Sequence, residues 1–247
     1  VRPPATLADL PVYAMNLPRR TDRWEALTRH MALRGLPAPV QVPAVDGPAV
    51  FTPADLTGYR REVEAGFDGD AACYGQATTA LNLLTSLAED PPDWTLILED
   101  DAVFHEDVHA RYAEFAALVP DDALVVLLGC VHKSINRRYR PAPGKPHRSS
   151  APVEGTGERC WRAGTVWCCH AFMASREAVP LLLEAAKPRA MSFDLAWNAV
   201  HHLGRTYLPN PHLAIQRPGD WSDIQNTRRG DRPEQFAPRA QPRRRRP

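Results

Sequence analysis

An α/β fold with a mostly parallel central sheet is what the chain predicts, and three stretches carry that expectation. The run Trp94-Thr95-Leu96-Ile97-Leu98, started by Pro91-Pro92 and ended by Glu99-Asp100-Asp101, has the uninterrupted apolar character of a strand buried on both faces. Leu124 to Leu128 is a second such run. Between them, Val108, Tyr112, Phe115 and Leu118 recur at helical spacing within Glu106–Val119, so the three stretches read as strand, helix and strand.

The remaining elements follow in order. Pro11–Leu17 is β-prone and reads as the first strand. Thr21 or Asp22 is placed to cap a helix carrying Trp24, Leu27 and Met31, with Gly35 as its stop. Val40–Val45 reads as a second strand ending in Asp46-Gly47. Pro48–Ala72 lacks a period and reads as a long loop, with a short helix near Asp55–Glu64. Ala71–Ala88 is a helix through Ala77, Leu81, Leu84 and Leu87. His132–Arg159 reads as a binding loop or lid, dominated by Pro, Gly, Arg and Ser. Gly164–Ala174 returns as a strand, Ser175 caps a helix to Lys187, and Ser192 caps another to Leu203. Thr206–Leu208 and His212–Gln216 close the pattern as short strands.

At 247 residues the chain is expected to form one domain over residues 1–232, followed by a basic Pro/Arg-rich tail over 233–247 that cannot bury a core. The net charge of +1 conceals an acidic body: the first 216 residues hold 21 basic and 25 acidic groups. Arg137, Arg138, Arg140, Lys145 and Arg148 form a second basic stretch. Each basic stretch suits a phosphate-rich partner or is simply solvated. Five cysteines without a C-x-x-C pair argue against a disulfide framework or a zinc knuckle, so reduced core thiols are expected. No apolar run approaches membrane-spanning length and the first residues lack a signal-peptide core, which gives the expectation of a soluble, cytoplasmic protein.

The chemistry centres on Glu99, Asp100 and Asp101. Three carboxylates at the carboxyl end of a buried strand repel one another and call for a positive partner. An oxygen-only donor set favours Mg²⁺ or Mn²⁺, resting on one or two carboxylates and a substrate's phosphates. The competing reading is a solvated turn whose acids complement a helix start. Asn16, Arg20 and Arg23 fall near the same sheet edge, where arginine suits a diphosphate or pairs with neighbouring acids. Asp46 either meets a ribose hydroxyl or is an Asp-Gly turn.

Asn16-Leu17-Pro18-Arg19-Arg20-Thr21-Asp22-Arg23, Ala44-Val45-Asp46-Gly47, Leu96-Ile97-Leu98-Glu99-Asp100-Asp101, Phe193-Asp194, and Leu213-Ala214-Ile215-Gln216 with Ser222-Asp223-Ile224 together resemble glycosyltransferase family 25, in that family's order. This family includes bacterial lipopolysaccharide β-galactosyltransferases. The resemblance implies a GT-A fold, a Rossmann-like sandwich, and inverting transfer of a hexose from a UDP-sugar to a hydroxyl acceptor. It implies Mn²⁺ on Asp101, ribose contacts from Glu99 or Asp100, and a nucleotide pocket lined by Asn16, Arg20 and Asp46. It makes Asp194 the first candidate for the base, Asp223 the second, and His212 a candidate metal ligand. Asp194 also reads as an acid in the first turn of a helix. One departure stands out: family members follow a Gly-Cys pair with Ser-His, where this chain has Gly75-Gln76-Ala77-Thr78-Thr79. The acceptor is therefore open between a glycan or lipopolysaccharide precursor and a hydroxylated base in DNA. A non-catalytic nucleotide- or nucleic-acid-binding module is the reading outside enzymes.

Overall fold

The computed structural model describes residues 2–59, 66–133, 135, 136, 138, 144–188, 191–223, 227 and 228. The chain opens with β1 (Val12–Asn16), α1 (Thr21–Leu33), β2 (Val40–Pro43), the single turn α2 (Gly47–Val50) and the long α3 (Gly66–Glu89). The acidic strand β3 (Trp94–Glu99) leads directly into a short β4 (Ala102–Phe104), then α4 (Val108–Ala116) and β5 (Val125–His132). β6 (Ala151–Pro152), β7 (Cys160–Arg162) and β8 (Val166–Ser175) follow. The last elements are α5 (Ala178–Ala186), α6 (Phe193–Ala196), α7 (Asn198–His201), β9 (Thr206–Pro209), β10 (Ala214–Gln216), β11 (Trp221–Ser222) and β12 (Thr227–Arg228).

The central sheet has the order β2-β1-β3-β8-β5-β9-β7-β6 and is mixed. β1 runs parallel to β2 and β3, and β5 parallel to β9. β8 lies antiparallel to both β3 and β5, and β7 is antiparallel to β9 and β6. The expected mostly parallel sheet is therefore corrected. β3 and β5 point the same way, but β8 separates them, because the excursion after β5 returns the chain to the opposite end of the sheet. A strand buried on both faces shows no alternation that would betray its direction.

Helices cover both faces. Along β3, Trp94, Leu96 and Leu98 enter the core shared with α1 and α4, whereas Ile97 enters the core shared with α3 and α5. β5 and β8 divide in the same way, Val126 and Met173 to one side and Leu127 and Phe172 to the other. The period of two places apolar side chains on both faces of each strand, which forces a three-layer arrangement.

Several local expectations shift. α1 begins at Thr21 itself, and Asp22 bonds to Arg20 rather than capping the helix. Ser175 does accept the Ala178 amide, at 3.2 Å. The helix expected over Ser192–Leu203 is two short pieces, α6 and α7, turning at Trp197. Residues 53–58 form turns where a short helix was expected, and residues 60–64 of that stretch lie outside the described residues. β4 was not anticipated; it pairs antiparallel with β10 in a separate two-stranded sheet. The long loop carries β6 in its second half; Arg137, Arg140 and the tail beyond Arg228 lie outside the described residues. Cys73, Cys130, Cys160 and Cys169 are buried and none of the cysteines is disulfide-bonded. Among the described residues no helix is long and apolar enough to cross a membrane.

Two histidines inside this core carry a pH consequence. His170 and His201 are fully buried, and burial lowers their pKa to about 4 and about 3. The unfolded chain takes up those protons near the ordinary value of 6.5. Below that pH the unfolded state binds more protons than the native one, so stability falls as the solution is acidified, down to the folded values. Each histidine contributes roughly 1.4 kcal/mol per pH unit across that window. Urea melts at pH 7, 6, 5 and 4 are expected to show a progressive fall in midpoint; a flat series would mean that both rings are already charged in the native state.

Candidate functional site

The parallel trio β2, β1 and β3 brings its carboxyl ends to one edge, and the turns leaving those ends build an open cleft of about 730 Å³, mouth included. Its lining contains Arg19, Arg23, Asp46, Gln76, Glu99, Asp100, Asp101 and Asp223. Sequence motifs scattered from residue 19 to residue 223 thus converge on one depression.

Each carboxylate has a distinct environment. Asp100 is buried and takes the Asn16 side-chain amide at 2.7 Å and the Arg23 guanidinium at 3.1 Å. The positive partner that the acidic run called for is, at this residue, an arginine of α1. Glu99 accepts the Gln76 amide at 2.7 Å on one oxygen and the Gln216 amide at 3.3 Å on the other. Asp101 is 2 % exposed, its carbonyl takes the Arg217 amide at 2.7 Å, and it is one of the residues lining the cleft.

The arginines of the β1–α1 turn are tied to acids. Arg19 binds Asp46 at 2.6 Å and Asp223 at 3.3 Å. Arg20 pairs both its Nε and one terminal nitrogen with Asp22 at 2.9 Å and reaches Asp223 at 2.5 Å. Arg23 lies 3.5 Å from Asp223. The hydrogen bonds to Asp22 raise the Arg20 pKa, and those from Arg20 hold Asp22 at about 2. Asp223 is thus drawn onto the β1–α1 turn from the far end of the chain.

The wall opposite β3 depends on close backbone approach. A Cβ on Gly75 would stand 2.5 Å from the Val45 carbonyl oxygen, and one on Gly47 would stand 1.7 Å from the Ala71 carbonyl oxygen. These two glycines let α3 press against the Asp46-Gly47 turn. Thr79 completes the seam, its hydroxyl accepting the Val45 amide at 2.9 Å and donating to the Gly75 carbonyl at 2.8 Å. Gln76, next to Gly75 on this helix, lines the cleft and is a polar contact there.

Asp194 and His212 lie elsewhere. Asp194 starts α6, outside the cleft lining; its carboxylate accepts the Cys168 amide at 2.8 Å and the Leu195 amide at 2.9 Å. His212 turns Nε2 toward Nε2 of His132 at 3.4 Å. Among the described residues, two sets of three side chains converge closely enough to coordinate a divalent ion: Cys130, His132 and His212, and the more exposed His105, Glu106 and Asp107. Gln76, Gln216, Arg19, Cys130 and His132 were missed from sequence. Neutral amides have no pattern of their own, and the Cys/His set joins residues about eighty positions apart.

No protein-family model matches the chain, and no curated protein matches it. Among solved structures it aligns with the crystal structure of a glycosyltransferase involved in the glycosylation of the major capsid of PBCV-1. That alignment has 9 % identity, covers 88 % of this chain and 96 % of that chain, and has a TM-score of 0.44. Similarity of that degree assigns neither a family nor an activity. What the geometry itself defines is an α/β protein with an acidic cleft at the carboxyl edge of its sheet.

Proposed function

We propose that the protein is an inverting, metal-dependent glycosyltransferase that moves a hexose from a nucleotide-sugar, of the UDP-sugar class, to a hydroxyl on a glycan or lipopolysaccharide precursor. The supporting observation is the convergence of Glu99, Asp100, Asp101, Asp46 and Arg19 on one cleft at the strand ends, where α/β sheets bind nucleotides. The motif resemblance to glycosyltransferase family 25 points the same way.

The donor set fits Mn²⁺ or Mg²⁺, because hard oxygen ligands border the cleft and such ions need only one or two carboxylates when a diphosphate supplies the rest. Asp101 is the proposed ligand, and the ion would neutralise charge on the departing nucleoside diphosphate. Asp100 is a buried clamp on Asn16 and Arg23, whereas Glu99 is held only by the neutral side-chain amides of Gln76 and Gln216, at 2.7 and 3.3 Å, which makes it the acid proposed to meet the ribose. Arg19, half exposed, is placed to exchange its carboxylate partners for phosphate oxygens. Asp194 is the proposed base on the motif resemblance, although it stands outside the cleft lining, so this role requires the acceptor to lie on the α6 side of the cleft; Asp223 is taken up by three guanidinium groups.

A melting series with UDP-hexoses, with and without Mn²⁺, tests this reading. Saturation near one hundred times Kd adds about 2.7 kcal/mol, which for a chain of this length moves the melting temperature by roughly 5–11 °C. If no nucleotide-sugar shifts the melt in either condition, the assignment fails. Exposed Lys145 and Arg148, with Lys133 lying 5.4 Å from the Trp167 ring, keep a polynucleotide acceptor as the second reading. Transfer to such an acceptor would fall steeply with added salt, whereas transfer to a small glycan would not.

A further inference from the structure

The side chains of Cys130, His132 and His212 lie apart from the acidic residues. Cys130 and His132 are two positions apart near the end of β5, and His212 stands on the segment entering β10, whose Leu213 amide bonds to the Leu128 carbonyl at 2.9 Å. β8 runs between β3 and β5, so the backbones of those two strands lie two strand spacings, about 10 Å, apart. We propose that Cys130, His132 and His212 form a zinc site, independent of the acidic cleft, with a fourth position left for water or an exogenous ligand.

The distances carry the assignment. The three ligand atoms lie within 4.8 Å of one another, and the two Nε2 atoms face each other at 3.4 Å. That separation is long for a nitrogen–nitrogen hydrogen bond and matches two imidazoles held tetrahedrally at about 2.0–2.1 Å from one ion, which places their nitrogens about 3.4 Å apart. One thiolate and two imidazoles suit zinc, whereas carboxylates suit magnesium or manganese.

The surroundings of His132 supply what a zinc ligand needs. Zinc on His132 Nε2 leaves the proton on Nδ1, which faces the Ser150 hydroxyl oxygen at 2.8 Å and donates to it. That same oxygen accepts the Gly164 amide at 3.0 Å, so Ser150 is fixed by the backbone. Cys130 and His212 are buried and His132 is half-buried, giving the ion a route in from one side. Closing the site would tie β5 to the segment that continues through β10 to Gln216 and its bond with Glu99.

The full-length protein, stripped with chelator and dialysed against zinc, is expected to retain one ion per chain and to melt at a higher temperature than the stripped form. Cobalt in place of zinc is expected to give a thiolate charge-transfer absorption in the near ultraviolet. Cys130→Ser should remove that band, and His132→Ala, at the half-exposed end of the strand, should weaken zinc binding at least tenfold if Cys130→Ser does not fold. Ser150→Ala is expected to lower affinity about 10- to 100-fold. Asp101→Ala should bind zinc as the parent does, which separates this site from the proposed manganese site. A parent protein that retains no zinc, a cobalt band that survives Cys130→Ser, or zinc binding lost with His105→Ala instead would each overturn the proposal.

Discussion

Asp101→Ala is expected to leave the protein folded and to lower metal-dependent turnover of a UDP-sugar by roughly a thousandfold or more, the scale on which removing a group that stabilises transition-state charge acts. The residue lines the cleft, while its carbonyl is held by Arg217 through the backbone, a bond that the substitution preserves. The fold should therefore survive: a melting temperature within a few degrees of the parent, with no added stability from Mn²⁺ and donor together, is the expected pair of results. Turnover at the parental rate would remove Asp101 from the metal site and, with it, the proposed mechanism.

Arg23→Ala is expected to be the most destabilising single change at the site. Arg23 and Asp100 have side chains only 8 % and 10 % exposed, and they meet at 3.1 Å. Taking away the guanidinium strands a carboxylate in a poorly solvated place, a loss of about 3–5 kcal/mol. Joint replacement of both residues, Arg23→Met with Asp100→Leu, should recover much of that stability, because a buried pair holds little advantage over apolar groups of similar volume. Urea unfolding of the two variants checks this; a single variant as stable as the parent would show that water reaches Asp100 freely. Neither variant is expected to keep donor binding, since Arg23 and Asp100 both border the cleft.

The strands that build the site were readable because burial on both faces leaves a plain apolar run. Trp94–Leu98 could be placed, and the carboxylates that follow it could be assigned to a strand end from the sequence alone. The same property hid the direction of β8, since Val166–Ser175 inserts antiparallel between β3 and β5 with no alternation to show it. β4 has only three residues, too few for a period to register. Arg20 and Arg23 were placed at the correct edge, and pairing with nearby acids was one of the two readings open for them; Asp22 and Asp100 fulfil it, but the further partner Asp223 returns from some two hundred residues later. His212 drew notice as a late histidine, yet its neighbours His132 and Cys130 belong to a strand read only for its apolar content. Contacts between distant segments leave no mark in local spacing.

The arginines of the β1–α1 turn come with their own anions already in place. A diphosphate arriving at Arg19 would displace Asp46 and Asp223 rather than a cloud of dissolved chloride, so capture there is an exchange between anions on a fixed cation. Few small ions would be set loose, and the affinity for such a guest would vary only gently with ionic strength. The displaced Asp223 is also held by Arg20 and Arg23, so its segment could stay closed over the cleft while one of its contacts changes hands.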